Sequence, residues 1–232
     1  MAVFEIFQSI GVFVVGILAR LGLFLAMVAV LVLPALAIAL VLRWRETRRR
    51  RALGLRHVAG LLFRPGVAYA PGHTWLGPRR GGTLEIGLDD LAQRLLPSVS
   101  AAELPRPGTR VERGQPLATL HGGGRAVTIP SPVTGTVAGV NASVLRDPAL
   151  VKRDAYGRGW LVALAPDDWA WKSLPRDAAA EVFMRGEAGR FGRFLEERLG
   201  FAAADGGELV SPAPWLVGEE GWKELTAAFL SP

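Results

Sequence analysis

The chain has no cysteine, only two tyrosines, and only three lysines among its 27 Lys and Arg residues. Without thiols there are no disulfides, no thiolate nucleophile and no cysteine-held zinc or iron–sulfur cluster. Chemistry that needs a primary side-chain amine is confined to Lys152, Lys172 and Lys223. The three histidines, His57, His73 and His121, are too scattered for metal-ligand spacing. Ser98, Ser100 and Ser131 sit in no nucleophile-elbow pattern, and no phosphate-cradling glycine motif opens a helix. These absences argue against an enzyme, a bound metal and a small-molecule substrate.

Charge is also missing from one long stretch. Leu21 to Leu42 carries none, and as a helix it would span about 33 Å, close to the thickness of a bilayer's hydrocarbon core. The expectation is a transmembrane helix over residues 21–43, kinked and not ended at Pro34. It is followed at once by RWRETRRRR, Arg43 to Arg51, with six arginines and one glutamate. Such clusters stay on the cytoplasmic side, so the chain is expected to be single-pass in the plasma (inner) membrane with its C-terminal part in the cytoplasm. Topology, more than nucleic acid, accounts for the net charge of +6.

Residues 1–20 are apolar but hold Glu5, Gln8 and Ser9 and end at Arg20. They are expected either to lie in the interface or to extend the membrane helix. A cleaved signal peptide is the competing reading, against which stands the lack of a basic n-region. Residues 44–71 form a basic linker with interleaved apolar side chains (Leu53, Leu55, Val58, Leu61, Leu62, Phe63). It would either lie along the anionic leaflet or serve as a topology signal with a short helix. Pro65-Gly66 and Pro71-Gly72 then punctuate the chain.

Beyond that point short apolar runs alternate with turn residues. Thr83 to Gly87 alternates as a strand, Leu88 to Leu96 has helical spacing, and Asp89-Asp90 stands where a helix would be capped. Val111, Leu117, Leu120, Val127, Ile129, Val133, Val137 and Val140 lie in strand-like runs broken by Pro105, Pro107-Gly108, Gly114, Pro130, Pro132 and Gly135. The fold class is mainly β with some α.

Five blocks in this region resemble the H protein of the glycine cleavage system. Gly72-His73-Thr74-Trp75 resembles its first strand, and IGLDDLAQ (Ile86 to Gln93) the strand-to-helix step after it. ELPRPGTRVERGQPLATL (Glu103 to Leu120) resembles the next strand pair, SPVTGTVAGVN (Ser131 to Asn141) the segment after the lipoyl hairpin, and DPALVKRDAYGRGWLVALAP (Asp147 to Pro166) the closing segment. The resemblance covers residues 72–166 and implies a barrel-sandwich hybrid, two facing sheets with a hairpin that displays a lipoyl-bearing lysine.

That lysine is expected about eleven residues before the glycine of the PVTG-like turn. Counting back from Gly135 reaches Gly124, in the run Gly122, Gly123, Gly124, Arg125. An arginine guanidinium stays protonated and is no acylation target, so no lipoyl cofactor is expected. The triple glycine reads either as a hairpin relaxed into residues that tolerate positive φ, or as backbone closely approached by a partner or an anion.

Residues 167–232 extend past the resembling region. Asp177 to Leu199 reads as an amphipathic helix through Ala180, Val182, Phe183, Phe191, Phe194, Leu195 and Leu199, with Gly186, Gly189 and Gly192 as candidate breaks. Gly221 to Leu230 suits a short helix with Trp222, Leu225 and Phe229 on one face. Five of the seven tryptophans follow residue 159. Trp169, Trp171, Trp215 and Trp222, with the glycine tip and Arg125, are therefore the expected partner-binding residues; closure of the fold's open edges is the alternative.

Together these features suggest a non-catalytic, membrane-anchored scaffold whose partners are the bilayer and other subunits of a membrane complex. A divergent carrier for group or electron transfer is one alternative. A periplasmic adaptor of an efflux or secretion system is another, disfavoured by the lack of a heptad pattern.

Overall fold

A computed structural model describes residues 2–200, 204–205, 208–209 and 218–231. The chain forms two units, residues 1–52 and 53–232. The first is one helix, α1 (Ala2–Ala52), which runs unbroken through both Arg20 and Pro34. Residues 2–20 thus extend the same helix that the charge-free run forms. Within it, Phe13–Arg45 is long and apolar enough to cross a membrane. Its large apolar side chains, Phe13, Leu23, Val30 and Leu31 among them, are exposed.

The second unit begins with a small hairpin, β1 (Arg56–Val58) and β2 (Leu61–Phe63). These residues, expected within the linker, belong to the compact unit: Leu61 and Phe63 are fully buried. Polar bonds hold the hairpin down as well. The Leu62 N–H donates to Asp90 Oδ2 at 2.8 Å, and Tyr156 Oη donates to the Leu62 carbonyl at 2.9 Å.

Next come β3 (Ala68–Ala70), β4 (Thr74–Pro78), β5 (Leu84–Leu88), α2 (Asp90–Leu95), β6 (Ala101–Glu103), β7 (Arg110–Val111), β8 (Pro116–Gly122), β9 (Arg125–Pro130) and β10 (Gly135–Val140). Two short helices, α3 (Ala142–Arg146) and α4 (Leu150–Arg153), lead to β11 (Val162–Pro166). One turn of 3-10 helix (Ala170–Ser173) precedes α5 (Asp177–Leu199); the two-residue strands β12 (Ala204–Asp205) and β13 (Glu208–Leu209) pair with each other, and α6 (Glu219–Phe229) follows.

Two antiparallel sheets carry the fold, one of six strands in the order β3-β4-β5-β11-β10-β7 and one of three in the order β6-β8-β9. Their apolar side chains join one cluster: Trp75, Leu76, Leu84, Ile86 and Leu164 come from the first sheet, and Leu117, Leu120, Val127 and Ile129 from the second. Each such side chain withdrawn from water contributes about 1.5–3 kcal/mol. Trp75 dictates a neighbour's identity. It faces Gly87 across the β4–β5 pair, and a Cβ on Gly87 would lie 2.7 Å from its indole.

Local sequence explains the helix ends. Asp89 caps α2 as expected, its Oδ1 accepting from the Ala92 N–H at 2.9 Å. Asn141 caps α3, and its amide also donates to the carbonyls of Arg158 and Trp160. The helix α5 has the expected limits and ends on Gly200 at φ +65°. Its glycines do not break it, because tertiary packing outweighs their propensity cost of about 1 kcal/mol each. The buried face differs in detail from the expectation: Ala180, Met184, Ala188, Phe191 and Leu195 are inside, whereas Val182 is 68% exposed.

Candidate functional site

The glycine run forms the turn between β8 and β9. His121 pairs with Ala126 and Gly122 with Arg125, which leaves Gly123 and Gly124 as a two-residue loop. Both have positive φ, +59° and +75°. A tight hairpin of the I′ class needs that of both loop residues, and glycine supplies it without steric cost.

The three glycines have different surroundings. A Cβ on Gly122 would fall 1.5 Å from the Ser98 carbonyl oxygen, because the chain entering β6 crosses directly over the hairpin. That crossing is fixed by the Ser100 N–H, which donates to the His121 carbonyl at 2.8 Å, and by the Ala101–His121 pair. Gly123 lies beside Pro97, at 3.2 Å from an added Cβ, while Gly124 faces open space. The close approach at Gly122 is thus made by this chain's own backbone.

Beside the loop, the Arg125 guanidinium lies over the Trp222 indole, 4.7 Å from the ring centre. Trp222 is only 7% exposed. Arg125 also helps hold the nearby Glu219 carboxyl below its usual range, after the larger effect of the Lys223 hydrogen bond and charge. Arg125, the glycine loop and Trp222 are therefore brought together, with α6 resting against the tip. A recess between β9 and the end of α6 is lined by Ala126, Thr128, Thr226 and Leu230.

The other expected aromatics lie elsewhere. Trp169 is 65% exposed with Lys172 3.9 Å from its ring centre, and Trp171 is buried beneath Arg176. Trp215 lies outside the described residues. Of the lysines, Lys223 pairs with Glu219 at 3.0 Å. Lys152 donates to the Leu96 carbonyl, and burial lowers its pKa.

Sequence reasoning missed the most polar element of the interior. His73, at φ +57° and 1% exposed, sets Nδ1 2.8 Å from Asp89 Oδ2 and Nε2 3.2 Å from Glu187 Oε2. Both ring nitrogens face carboxylates, which suits an imidazolium donating twice. Burial pushes its pKa down, but the Asp89 charge and hydrogen bond, with Glu187 behind them, outweigh that and raise it to about 9. Burial likewise raises the Glu187 pKa, and the hydrogen bonds from His73 and Arg190 overcome it and bring it to about 2.

Arg190 continues the chain of contacts. It donates to Glu187 and, through Nη1, to the Ala228 carbonyl at 2.9 Å, and it stacks on Phe229 at 4.2 Å. Asp89, His73, Glu187 and Arg190 thus tie the sheet unit to α5 and α5 to α6. The partners lie 16 and 114 residues from His73, so no local pattern could have announced them. Among the described residues, no group of three His, Cys, Asp or Glu side chains is placed to hold a metal ion.

A family model for the glycine cleavage H-protein matches residues 67–185, just over half of the 232-residue chain. The chain is 38% identical over 90 residues to the probable glycine cleavage system H protein 2 of Saccharolobus solfataricus, covering 39% of this chain and 61% of that protein. It is 36% identical over 102 residues to the glycine cleavage system H protein of Pseudoalteromonas atlantica, covering 44% of this chain and 79% of that one. The crystal structure of a glycine cleavage system H protein from Mycobacterium marinum overlays with a TM-score of 0.47 at 23% identity, over 53% of this chain and 99% of the other.

Proposed function

Because the chain belongs to the glycine cleavage H-protein family, we propose that it is a membrane-anchored, non-lipoylated member of it. In this reading the H-protein-like unit, a barrel-sandwich hybrid, serves as a non-catalytic scaffold that docks other subunits onto a membrane complex. One observation carries it: the hairpin loop at Gly123 and Gly124 holds no amine, and Arg125 beside it packs on the extension's Trp222. Covalent lipoyl attachment needs a primary amine, and residues 121–135 contain no lysine. The residues at the tip do not fit the group.

The anchor reading rests on α1. Arg20 and Arg43 bracket the charge-free run, about 34 Å apart along the helix, so their charged heads reach opposite interfaces while the apolar residues meet lipid. The arginine block after residue 42 then keeps the C-terminal unit on the cytoplasmic side.

The test is the intact mass of the full-length protein purified in mild detergent, with identification of what co-purifies. The scaffold reading expects an unmodified polypeptide mass and a stoichiometric set of membrane subunits. A lipoyl-sized increment on any of the three lysines would establish the carrier alternative in its place. A protein that ran alone and monodisperse would also defeat the scaffold reading.

A further inference from the structure

The end of α1 sorts its residues by side. At about 100° per residue, Leu40, Trp44, Thr47 and Arg51 fall near one line along the helix, with Arg43 and Arg48 flanking it. These six residues line a single recess. The Arg48 guanidinium lies over the Trp44 indole, 4.9 Å from the ring centre, which orders the guanidinium plane while leaving its edge N–H groups free to donate. Thr47 Oγ1 donates back to the Arg43 carbonyl at 2.9 Å, so its hydrogen stays within the helix. By helical register Arg45 belongs to the other side.

We infer that this face binds the headgroup of an anionic phospholipid. Arg43, Arg48 and Arg51 supply forked donors to the phosphodiester, and Trp44 sits at the level where headgroup meets acyl chain. The apolar run below Leu40 receives the chains. Trp44 is 58% and Leu40 58% exposed, a use of apolar surface that a lipid exploits and a soluble phosphate does not. The assignment rests on the membrane-anchor reading above and adds to it a defined lipid class on a defined side of the helix.

The experiment uses the full chain in nanodiscs of mixed phosphatidylcholine and phosphatidylglycerol, released gently and weighed with its bound lipids by native mass spectrometry. The native chain should retain phosphatidylglycerol preferentially. R48Q should reduce that retention about fivefold, in line with about 1 kcal/mol per basic residue near a membrane surface. R45Q makes the same change in charge on the other side and should reduce it less than twofold. Equal losses in the two variants would overturn the site in favour of diffuse attraction, and displacement by millimolar inorganic phosphate would overturn it in favour of a soluble anion. Flotation with neutral vesicles separates the two readings. A chain that fails to float defeats the anchor, whereas one that floats without lipid preference defeats this inference alone.

Discussion

Two of the contacts between the C-terminal extension and the sheet unit are built on opposite principles. At His73 the contact is ionic and desolvated: a buried imidazolium lies between Asp89 and Glu187, and Arg190 closes the set. At the hairpin tip the contact is one guanidinium laid on one indole. A buried charge that loses its partner is stranded, and such losses cost several kcal/mol. A cation–π contact near solvent contributes about 0.5–1 kcal/mol. The difference teaches that α5 is clamped by charge whereas the hairpin tip meets α6 through a weaker contact, so of the two the surface around Gly124 is the more open to change.

The largest effect should come from breaking the clamp. Glu187→Ala removes one of the two carboxylates that face the His73 imidazolium, together with the partner of Arg190, and unfolding of the full chain in denaturant should show a loss of about 3 kcal/mol. Substitution of His73 by Phe, which fills the space between Phe183 and Phe229 without a charge, should cost less than Glu187→Ala only if Asp89 and Glu187 find other partners. An equal or greater loss would assign the clamp's value to its charges.

The clamp should next appear in the pH dependence of stability. The pKa of His73 is raised from 6.5 to about 9 in the folded chain. Its contribution is therefore complete below about 6.5 and is lost as the pH rises through 9. The shift corresponds to about 3 kcal/mol. Glu187, lowered from 4.5 to about 2, adds stability present above about 4.5 and lost as the pH falls towards 2. Urea midpoints measured from pH 6 to 10 should drop, and the drop should vanish in a His73 variant; a flat profile would mean that His73 is neutral in the fold.

Gly122→Ala comes third. Its Cβ meets a backbone oxygen at 1.5 Å, so either β8 or the Pro97–Val99 segment must shift, at about 1–3 kcal/mol. Gly124→Ala at the same hairpin should cost about 1 kcal/mol, from positive φ alone. The smallest effect belongs to Arg125→Ala, under about 1 kcal/mol. It should show itself in faster amide exchange in β9 and the loop more than in the unfolding midpoint. A large global loss would erase the contrast between clamp and tip.

Much of the fold was legible in the chain because it is written in local patterns. Alternation in Thr83 to Gly87, the carboxylate of Asp89 at a helix start and the periodicity of Asp177 to Leu199 each found their element, the first shifted by one residue to Leu84–Leu88. The continuity of α1 through Arg20 is not legible in the chain, since one charge in an apolar run fits either a helix or its end. The hairpin at Arg56 to Phe63 was hidden by its basic composition, though Leu61 and Phe63 carried the sign of burial. At the tip the loop glycines were recognisable from their tolerance of positive φ. The reason for Gly122 was not, because Ser98 reaches it only through the fold. His73 was least legible of all, being defined by partners from three separate segments.

The loop at Gly123 and Gly124 also bears on how reversible the proposed loss of the carrier role is. A side chain placed on Gly124 would enter empty space and disturb no neighbour, leaving only the cost of its φ of +75°, about 1 kcal/mol. The position eleven residues before Gly135 is therefore one codon change away from presenting an amine on an intact hairpin. A Gly124→Lys chain exposed to a lipoyl-attaching enzyme would report, by mass, whether the proposed loss of the carrier role rests on that single residue or also on the surface an attaching enzyme must recognise.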